Sequence, residues 1–403
     1  MKRKTFLKSL LSLAAATALP IATPVLAEDA IKIGEINHYK RMAAFTGPYK
    51  QGIELALEEV NGSGGVLGRP LEFVFRDDQG KPGEAIKIAE ELMTSEGTAM
   101  ITGTILSNVG LAISSHAAEK GYVYLASEPL ADALVWSAGN PYTFRLRAST
   151  YMQAAMLAEQ AAKTDAVKYA TIAPNYAYGK DAVAAFKKAL SALKPDVEFV
   201  GEQWPGVFKI DAGAEVQALE RAKPDAIYNV TFGPDLAKFV REGTDRGLFD
   251  GRKVYGLLSG EPEYIDPLGD EAPEGWTVTG YPWQDINNGP GGDFVAAYQA
   301  KYDDHPRIGS LVGYMTVQSI AAALEKAGST ETEAIRAAFE DLQVATPMGD
   351  ITFRSIDNQS TAGAWVGTTT VKDGKGVMVN WVYKNGADYL PSDDVVKSLR
   401  PAD

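Results

Sequence analysis

Residues Gly52–Pro82 read GIELALEEVNGSGGVLGRPLEFVFRDDQGKP and hold a complete helix-to-strand unit. Ile53, Leu55, Ala56, Leu57 and Val60 place most of their apolar side chains on one helical face. Asn61–Gly65 is expected to stop the helix, because Asn and Gly accept the left-handed backbone of a helix C-terminus. Leu71, Phe73 and Phe75 then alternate with Glu72, Val74 and Arg76, which is a strand pattern, and the acidic turn Asp77-Asp78 follows.

The same alternation extends in both directions. Ile31, Ile33 and Ile36 begin a strand; Glu84–Met93 reads as a helix, Ala99–Gly103 as a strand, Leu111–Lys120 as a helix and Tyr122–Leu125 as a strand. Such an order implies a parallel sheet with helices on both faces. After Asn140 the rhythm restarts, with helices at Ser149–Lys163, Gly179–Leu193, Ala212–Ala222 and Leu236–Arg246. Strands are expected between and after them at Tyr169–Ala173, Val197–Glu202, Ala226–Val230 and Lys253–Leu258. A mainly helical block follows (Phe294–Tyr302, Gly313–Ala327, Glu331–Phe339). The tail from Ile351 to Tyr389 alternates like antiparallel strands, with Asp373-Gly374 and Asn385-Gly386 as expected hairpin turns.

Residues 52–82 resemble, almost position for position, the LA-x-E-x-N-x-x-GG-x-x-GR-x-L…DD segment of type I periplasmic binding proteins, in the leucine/isoleucine/valine-binding branch of the ABC transporters. The resemblance covers essentially the whole chain after its leader. It implies an α/β fold of two doubly wound lobes joined by a three-crossing hinge. The first crossing is expected at Asn140–Ala148, where NPYTFRLRAS resembles the family's NPY-x-FR-x-x-P-S. The second is expected near Thr279–Trp283 and the third near Gly349–Phe353. Lobe 1 would then hold residues 28–148 and 280–350, and lobe 2 residues 149–279 and 351–403.

The N-terminus reads as a secretory leader. Lys2, Arg3, Lys4 and Lys8 precede an apolar run from Leu10 to Ala22, and Val25-Leu26-Ala27 is a small-residue cleavage pattern, so residues 1–27 are expected to be removed. The run is too short for a membrane span. The sequence has no cysteine, which excludes a lipid-anchored cleavage site, disulfides and thiolate metal sites. A periplasmic location, without a lipid anchor, is the expectation. A net charge of −13 argues against nucleic-acid binding, which favours clustered positive charge.

Enzymatic constellations are missing. The glycines of Asn61–Gly68 follow a helix, whereas a phosphate loop needs a strand before it and a helix start after it. His38, His116 and His305 are not at metal-ligand spacing from one another, and His38, in the loop after the first strand, is the one kept as a pocket candidate. No G-x-S-x-G elbow occurs. The chain is therefore read as a non-enzyme with no cofactor, no metal and no catalytic residue.

Ligand-binding candidates lie in loops beyond strand C-terminal ends, where doubly wound sheets hold ligands. Asn37–Thr46, Gly103–Asn108 and Ala126–Leu130 satisfy that rule in the first lobe. Gly103–Asn108 resembles the family's G-x-x-x-S loop, which implicates Thr104, Ser107 and Asn108; amides at the helix start favour a carboxylate there, while Ser107 is also a candidate cap for the helix. Tyr176-Ala177-Tyr178-Gly179 resembles the D-x-x-YG motif and points to Tyr178, whose alternative is a packing role. Phe232 follows a strand at another aromatic position, and Glu261 falls where branched-chain binders place a glutamate for the ligand ammonium.

Two departures bear on the ligand. Ala126-Ser127-Glu128-Pro129-Leu130 replaces the family's small, hydroxyl-rich loop, making Ser127 and Glu128 candidates and putting Leu130 where a threonine is common. His38-Tyr39-Lys40-Arg41 replaces another small loop, and Arg41 is either a carboxylate grip or a solvated rim charge. The resemblance thus implies a monomeric binding component that closes on an amino acid and docks on a membrane permease. An aromatic or other organic acid is the alternative ligand; a receptor partner and an enzyme stand further back.

Overall fold

The structure, a computed structural model, describes residues 29–400. The leader expected over residues 1–27 lies outside the described residues. The chain begins β1 (Ile31–Asn37), α1 (Ala43–Gly62), β2 (Leu71–Asp77), α2 (Pro82–Thr94), β3 (Ile101–Gly103), α3 (Ser107–Lys120), β4 (Tyr124–Ala126) and β5 (Thr143–Arg145). These strands pair in parallel in the order β2-β1-β3-β4-β5. The order reverses between β1 and β3, so the ligand crevice of this sheet lies beyond those two strand ends.

The chain then runs α4 (Thr150–Ala161), β6 (Lys168–Ile172), α5 (Ala177–Leu193), β7 (Glu198–Gln203), α6 (Ala212–Ala222), β8 (Ala226–Asn229) and α7 (Gly233–Asp245). It continues through β9 (Lys253–Gly260), the short α8 (Pro262–Ile265), β10 (Thr277–Gly280), α9 (Gly289–Tyr302), α10 (Ile308–Ala327) and α11 (Thr332–Phe339). A small hairpin, β11 (Leu342–Thr346) and β12 (Gly349–Phe353), precedes β13 (Ala364–Lys372), β14 (Lys375–Lys384) and α12 (Asp393–Leu399). The second sheet has the order β14-β13-β10-β9-β8-β6-β7. Its portion β7-β6-β8-β9-β10 repeats the winding of the first sheet, with the switch between β6 and β8. β13 and β14 extend it as antiparallel strands.

Several local expectations change. α1 begins at Ala43, well before the apolar run at Ile53. Pro48 lies inside this helix, where it removes one i→i−4 hydrogen bond, and buried Phe45 and Tyr49 hold this turn in the core. Asn61 does not adopt a left-handed conformation; its side chain donates to the Leu71 carbonyl (2.9 Å) and accepts from the Leu71 amide (2.8 Å), pinning the helix end to β2. Asp373-Gly374 forms the hairpin turn with both residues at positive φ, as a two-residue turn matching strand twist requires. Asn385-Gly386 does not form a hairpin: the Asn385 side chain accepts from Ala387 N (3.2 Å) and caps a short 3₁₀ turn.

Between the sheets, the chain after β5 runs beside residues 357–361. Arg145 N donates to Asn358 O and Ser360 N to Arg145 O, both at 3.0 Å. The Arg145 side chain is fully buried and donates to the Ala131 carbonyl at 2.5 Å and to the Gln359 side chain. Burial lowers its ionisation to about 10, with Asp132, Asp357 and Asp181 acting the other way. α1 and α10 pack so closely that a Cβ on Gly52 would collide with the Ser310 carbonyl, and one on Gly313 with the Tyr49 carbonyl.

Candidate functional site

The two sheet switch points meet across one cleft. On the first sheet the crevice is framed by the residues after β1 and β3. Gly103 is at φ +109°, and a side chain there would run into the Ile36 carbonyl, so glycine lets β3 approach β1 closely. On the second sheet the loops after β6 and β8 carry Tyr176, Tyr178 and Phe232. The two sides are tied in several places. Asp181 of α5 accepts from the amides of Asp132 (2.8 Å) and Ala133 (3.3 Å). The Arg41 guanidinium sits 5.9 Å from the centre of the Phe208 ring. His305 stacks on Trp283 at 4.7 Å and bonds Asp266 at 2.7 Å.

Arg147 is the centre of the cleft. One terminal nitrogen donates to Glu128 Oε2 at 3.1 Å and the other to Glu261 Oε1 at 2.5 Å. Glu128 follows β4 of the first sheet and Glu261 follows β9 of the second, so one guanidinium bridges the lobes. Both carboxylates are only 2% exposed. Burial pushes Glu128 and Glu261 up, with Arg147 opposing. Burial also works against the Arg147 charge, but Glu261 and Glu128 outweigh it and hold the guanidinium protonated.

Further acids surround this bridge. Glu263 is buried, accepts from Gly309 N at 2.5 Å, and is pushed up to about 8 by burial and then by Glu261. Glu35, inside β1, accepts from Tyr39 Oη and Asn37 Nδ2 and is also pushed up to about 8 by burial. Tyr49 Oη and Ser127 Oγ bond at 3.0 Å beside Glu128. An aromatic wall completes the second-sheet side. Tyr178 meets Phe232 edge-on at 5.6 Å, and Phe232 lies 5.6 Å from Phe208 and 6.2 Å from Tyr264.

The candidates read from sequence divide into groups. Glu128 and Glu261 are joined through Arg147, Ser127 is next to Glu128, and Tyr178 packs on Phe232. Arg41 and Asn108 stand at the cleft mouth with His38, Tyr176 and Phe208. Arg41 is exposed and faces an aromatic ring. Thr104 is buried and bonds Tyr124 Oη at 3.1 Å. Ser107 does not cap α3: Leu106 holds the N-cap position, and Ser107 Oγ accepts from Ala131 N at 3.2 Å. Leu130 is a core residue whose carbonyl accepts from Thr150 N (3.0 Å).

Arg147, Glu35, Glu263, Tyr49 and Tyr264 escaped the sequence reading. Arg147 had one available signal: a second arginine just past the buried Arg145, in a stretch otherwise apolar, must find carboxylate partners if it is buried too. A cluster of potential metal-ligand side chains stands at the rim. His38, Asp77 and Asp78, at the ends of β1 and β2, each bring one donor atom within 4.8 Å of the others. Asp77 and Asp78 use their Oδ1 atoms to accept from Gln79 N (2.8 Å) and Gly80 N (2.6 Å).

Two doubly wound lobes, wound alike and closing on a buried polar bridge, define a two-lobed solute-binding protein of the type I class. The periplasmic binding protein family matches residues 31–375, and the chain belongs to that family, in its leucine/isoleucine/valine-binding branch. It is similar to Leu/Ile/Val-binding protein homolog 7 of Brucella suis, at 26% identity over 92% of this chain and 96% of the relative. It is also similar to the leucine-, isoleucine-, valine-, threonine- and alanine-binding protein of Pseudomonas aeruginosa, at 26% identity over 81% of this chain and 87% of that one. Among solved structures, an ABC-transporter solute-binding protein of Rhodopseudomonas palustris in complex with 3,4-dihydroxybenzoic acid matches with a TM-score of 0.78 and 22% identity, over 89% of this chain and 99% of that one. The chain is thus a solute-binding protein of the ABC-transporter type. No helix among the described residues is long and apolar enough to cross a membrane.

Proposed function

We propose that this chain is the periplasmic substrate-binding component of an ABC importer for amino acids. Solute binds between the lobes, the lobes close about the hinge, and the closed form docks on a membrane permease. Lobe 1 comprises residues 28–148 and 280–350, and lobe 2 residues 149–279 and 351–403. The leader over 1–27 directs export, and the mature chain acts as a soluble monomer without a cofactor. The observation that carries this reading is the Glu128–Arg147–Glu261 bridge, which puts both charge signs in one buried cleft. An α-amino acid carries both complementary groups: an ammonium for a glutamate and a carboxylate for a guanidinium. The Pseudomonas aeruginosa relative is named for amino acids, which supports it.

A second reading is an aromatic or other organic acid. It is favoured by the aromatic wall of Tyr178, Phe232 and Tyr264 together with Arg147, and by the dihydroxybenzoate complex of a structural neighbour. A thermal-shift screen of the mature chain, freed of carried-over solute by unfolding and refolding, separates the two, because a solute that binds only the native state raises Tm. Shifts with amino acids are expected. Shifts confined to acids that lack an amino group would replace the first reading by the second.

A further inference from the structure

Buried acids outnumber cations in the cleft, and Glu263, pushed up to about 8 by burial and Glu261, keeps its proton until a cation draws it off. Glu128, Glu261 and Glu263 are each no more than 3% exposed, and Arg147 is the cation bonded to the first two of them. The nearby cations are engaged elsewhere: Arg145 by backbone carbonyls and Gln359, Arg307 by Asp304 at 2.7 Å. One oxygen on each acid (Glu128 Oε1, Glu261 Oε2 and Glu263 Oε2) is buried without a hydrogen-bond partner. A buried carboxylate oxygen left unpaired costs free energy, and three in one place is an unusual concentration.

Aromatic side chains adjoin these acids. Tyr178 and Tyr264 are buried and each packs on Phe232, and the Tyr178 hydroxyl is also buried without a hydrogen-bond partner. Burial first, then the neighbouring Tyr176, Tyr228 and Tyr264 and the charge of Glu261, keeps Tyr178 protonated. Carboxylates and neighbouring rings attract the same kind of group, since both an anion and a ring quadrupole stabilise a cation.

We propose that the solute is a net-positive organic cation, a basic amino acid or an amine, whose cationic head sits between the free oxygens of Glu128, Glu261 and Glu263 and the rings of Tyr178, Phe232 and Tyr264. The proposal rests on the cleft being the solute seat, as argued above. Arg147 remains as the partner of any carboxylate on the same solute. A neutral aliphatic amino acid has one ammonium for three unpartnered acid oxygens, and an aromatic acid has none.

Calorimetric titration of the refolded mature chain tests this, with lysine, arginine, putrescine and choline on one side and leucine and 4-hydroxybenzoate on the other. At least one cation is expected to bind about tenfold or more tighter than leucine or 4-hydroxybenzoate. Binding of lysine, arginine or putrescine assigns hydrogen bonds to the acids; binding of choline alone assigns the aromatic walls. Leucine bound as tightly as every cation would overturn the charge assignment while leaving an amino-acid carrier. Binding of 4-hydroxybenzoate alone would overturn both, and no heat with any cation would overturn the charge assignment. In the isosteric variant Glu263→Gln the cation is expected to bind about tenfold more weakly, and unchanged affinity would remove Glu263 from the seat.

Discussion

Arg147 donates to Glu128 and to Glu261, residues that follow strands of two different sheets, at 3.1 and 2.5 Å. The bridge couples lobe closure to buried charge, so removing its centre has a clear consequence. Arg147→Ala leaves two buried carboxylates without their cation and is expected to destabilise the protein by roughly 3–5 kcal/mol. Arg147→Lys is expected to recover only part of this, because an ammonium lacks the planar fork that reaches both partners. Urea unfolding of the variants checks the order; a loss below about 1 kcal/mol for Arg147→Ala would show that the acids are neutralised without it.

The raised carboxyls give the stability curve a direction. Burial pushes Glu35 and Glu263 up to about 8, from 4.5 when unfolded. Between those values the folded state binds more protons, so the stability each contributes is fully present below about pH 4.5 and is lost as pH rises through about 8. The limiting slope is about 1.4 kcal/mol per pH unit for each carboxyl. Glu263→Gln is therefore expected to flatten part of this decline, so that its Tm relative to the parent rises from pH 5 to pH 8. A constant Tm difference across that range would contradict the buried, protonated carboxyl.

Asp181 holds the lobes together without touching the proposed solute seat. It accepts two amides at Asp132 and Ala133. Asp181→Ala is expected to weaken the closed form by roughly 1–2 kcal/mol, a charge-assisted hydrogen-bond magnitude. Small-angle scattering without solute should show a larger radius of gyration than the parent. An identical scattering curve would mean that this contact does not limit opening.

The α1–α10 contact leaves no space for a methyl group. Gly313→Ala would push a Cβ into the Tyr49 carbonyl, and overpacking of this kind costs typically 1–3 kcal/mol. Because Tyr49 also bonds Ser127 at 3.0 Å, solute affinity is expected to fall along with Tm. A fully retained Tm would show that the helices slide apart freely.

The alternation of strands and helices along the chain was legible because buried parallel strands between amphipathic helices leave a strong periodic signal. Tyr178 and Phe232 were singled out by the family resemblance, and the structure packs the two rings edge-on at 5.6 Å. The cap alternative for Ser107 fails because a serine near a helix start has two outlets for its hydroxyl, and here a tertiary partner, Ala131 N, takes it. Asn61 shows the same competition, since its side chain found Leu71 in place of a left-handed turn. Glu263 and the partner of Arg147 across the cleft were not read, because Glu263 accepts from Gly309 N, 46 residues on, and Arg147 meets Glu261, 114 residues on. Local spacing carries no trace of such a pair.

The most direct measurement is a calorimetric titration of the solute giving the largest thermal shift into the parent protein and into Glu261→Gln. One solute per chain in the parent, and affinity lower by about tenfold or more in the variant, is the result expected if the solute sits at the bridge between the lobes. Equal affinity in both proteins would place the solute elsewhere and contradict the assignment of this cleft.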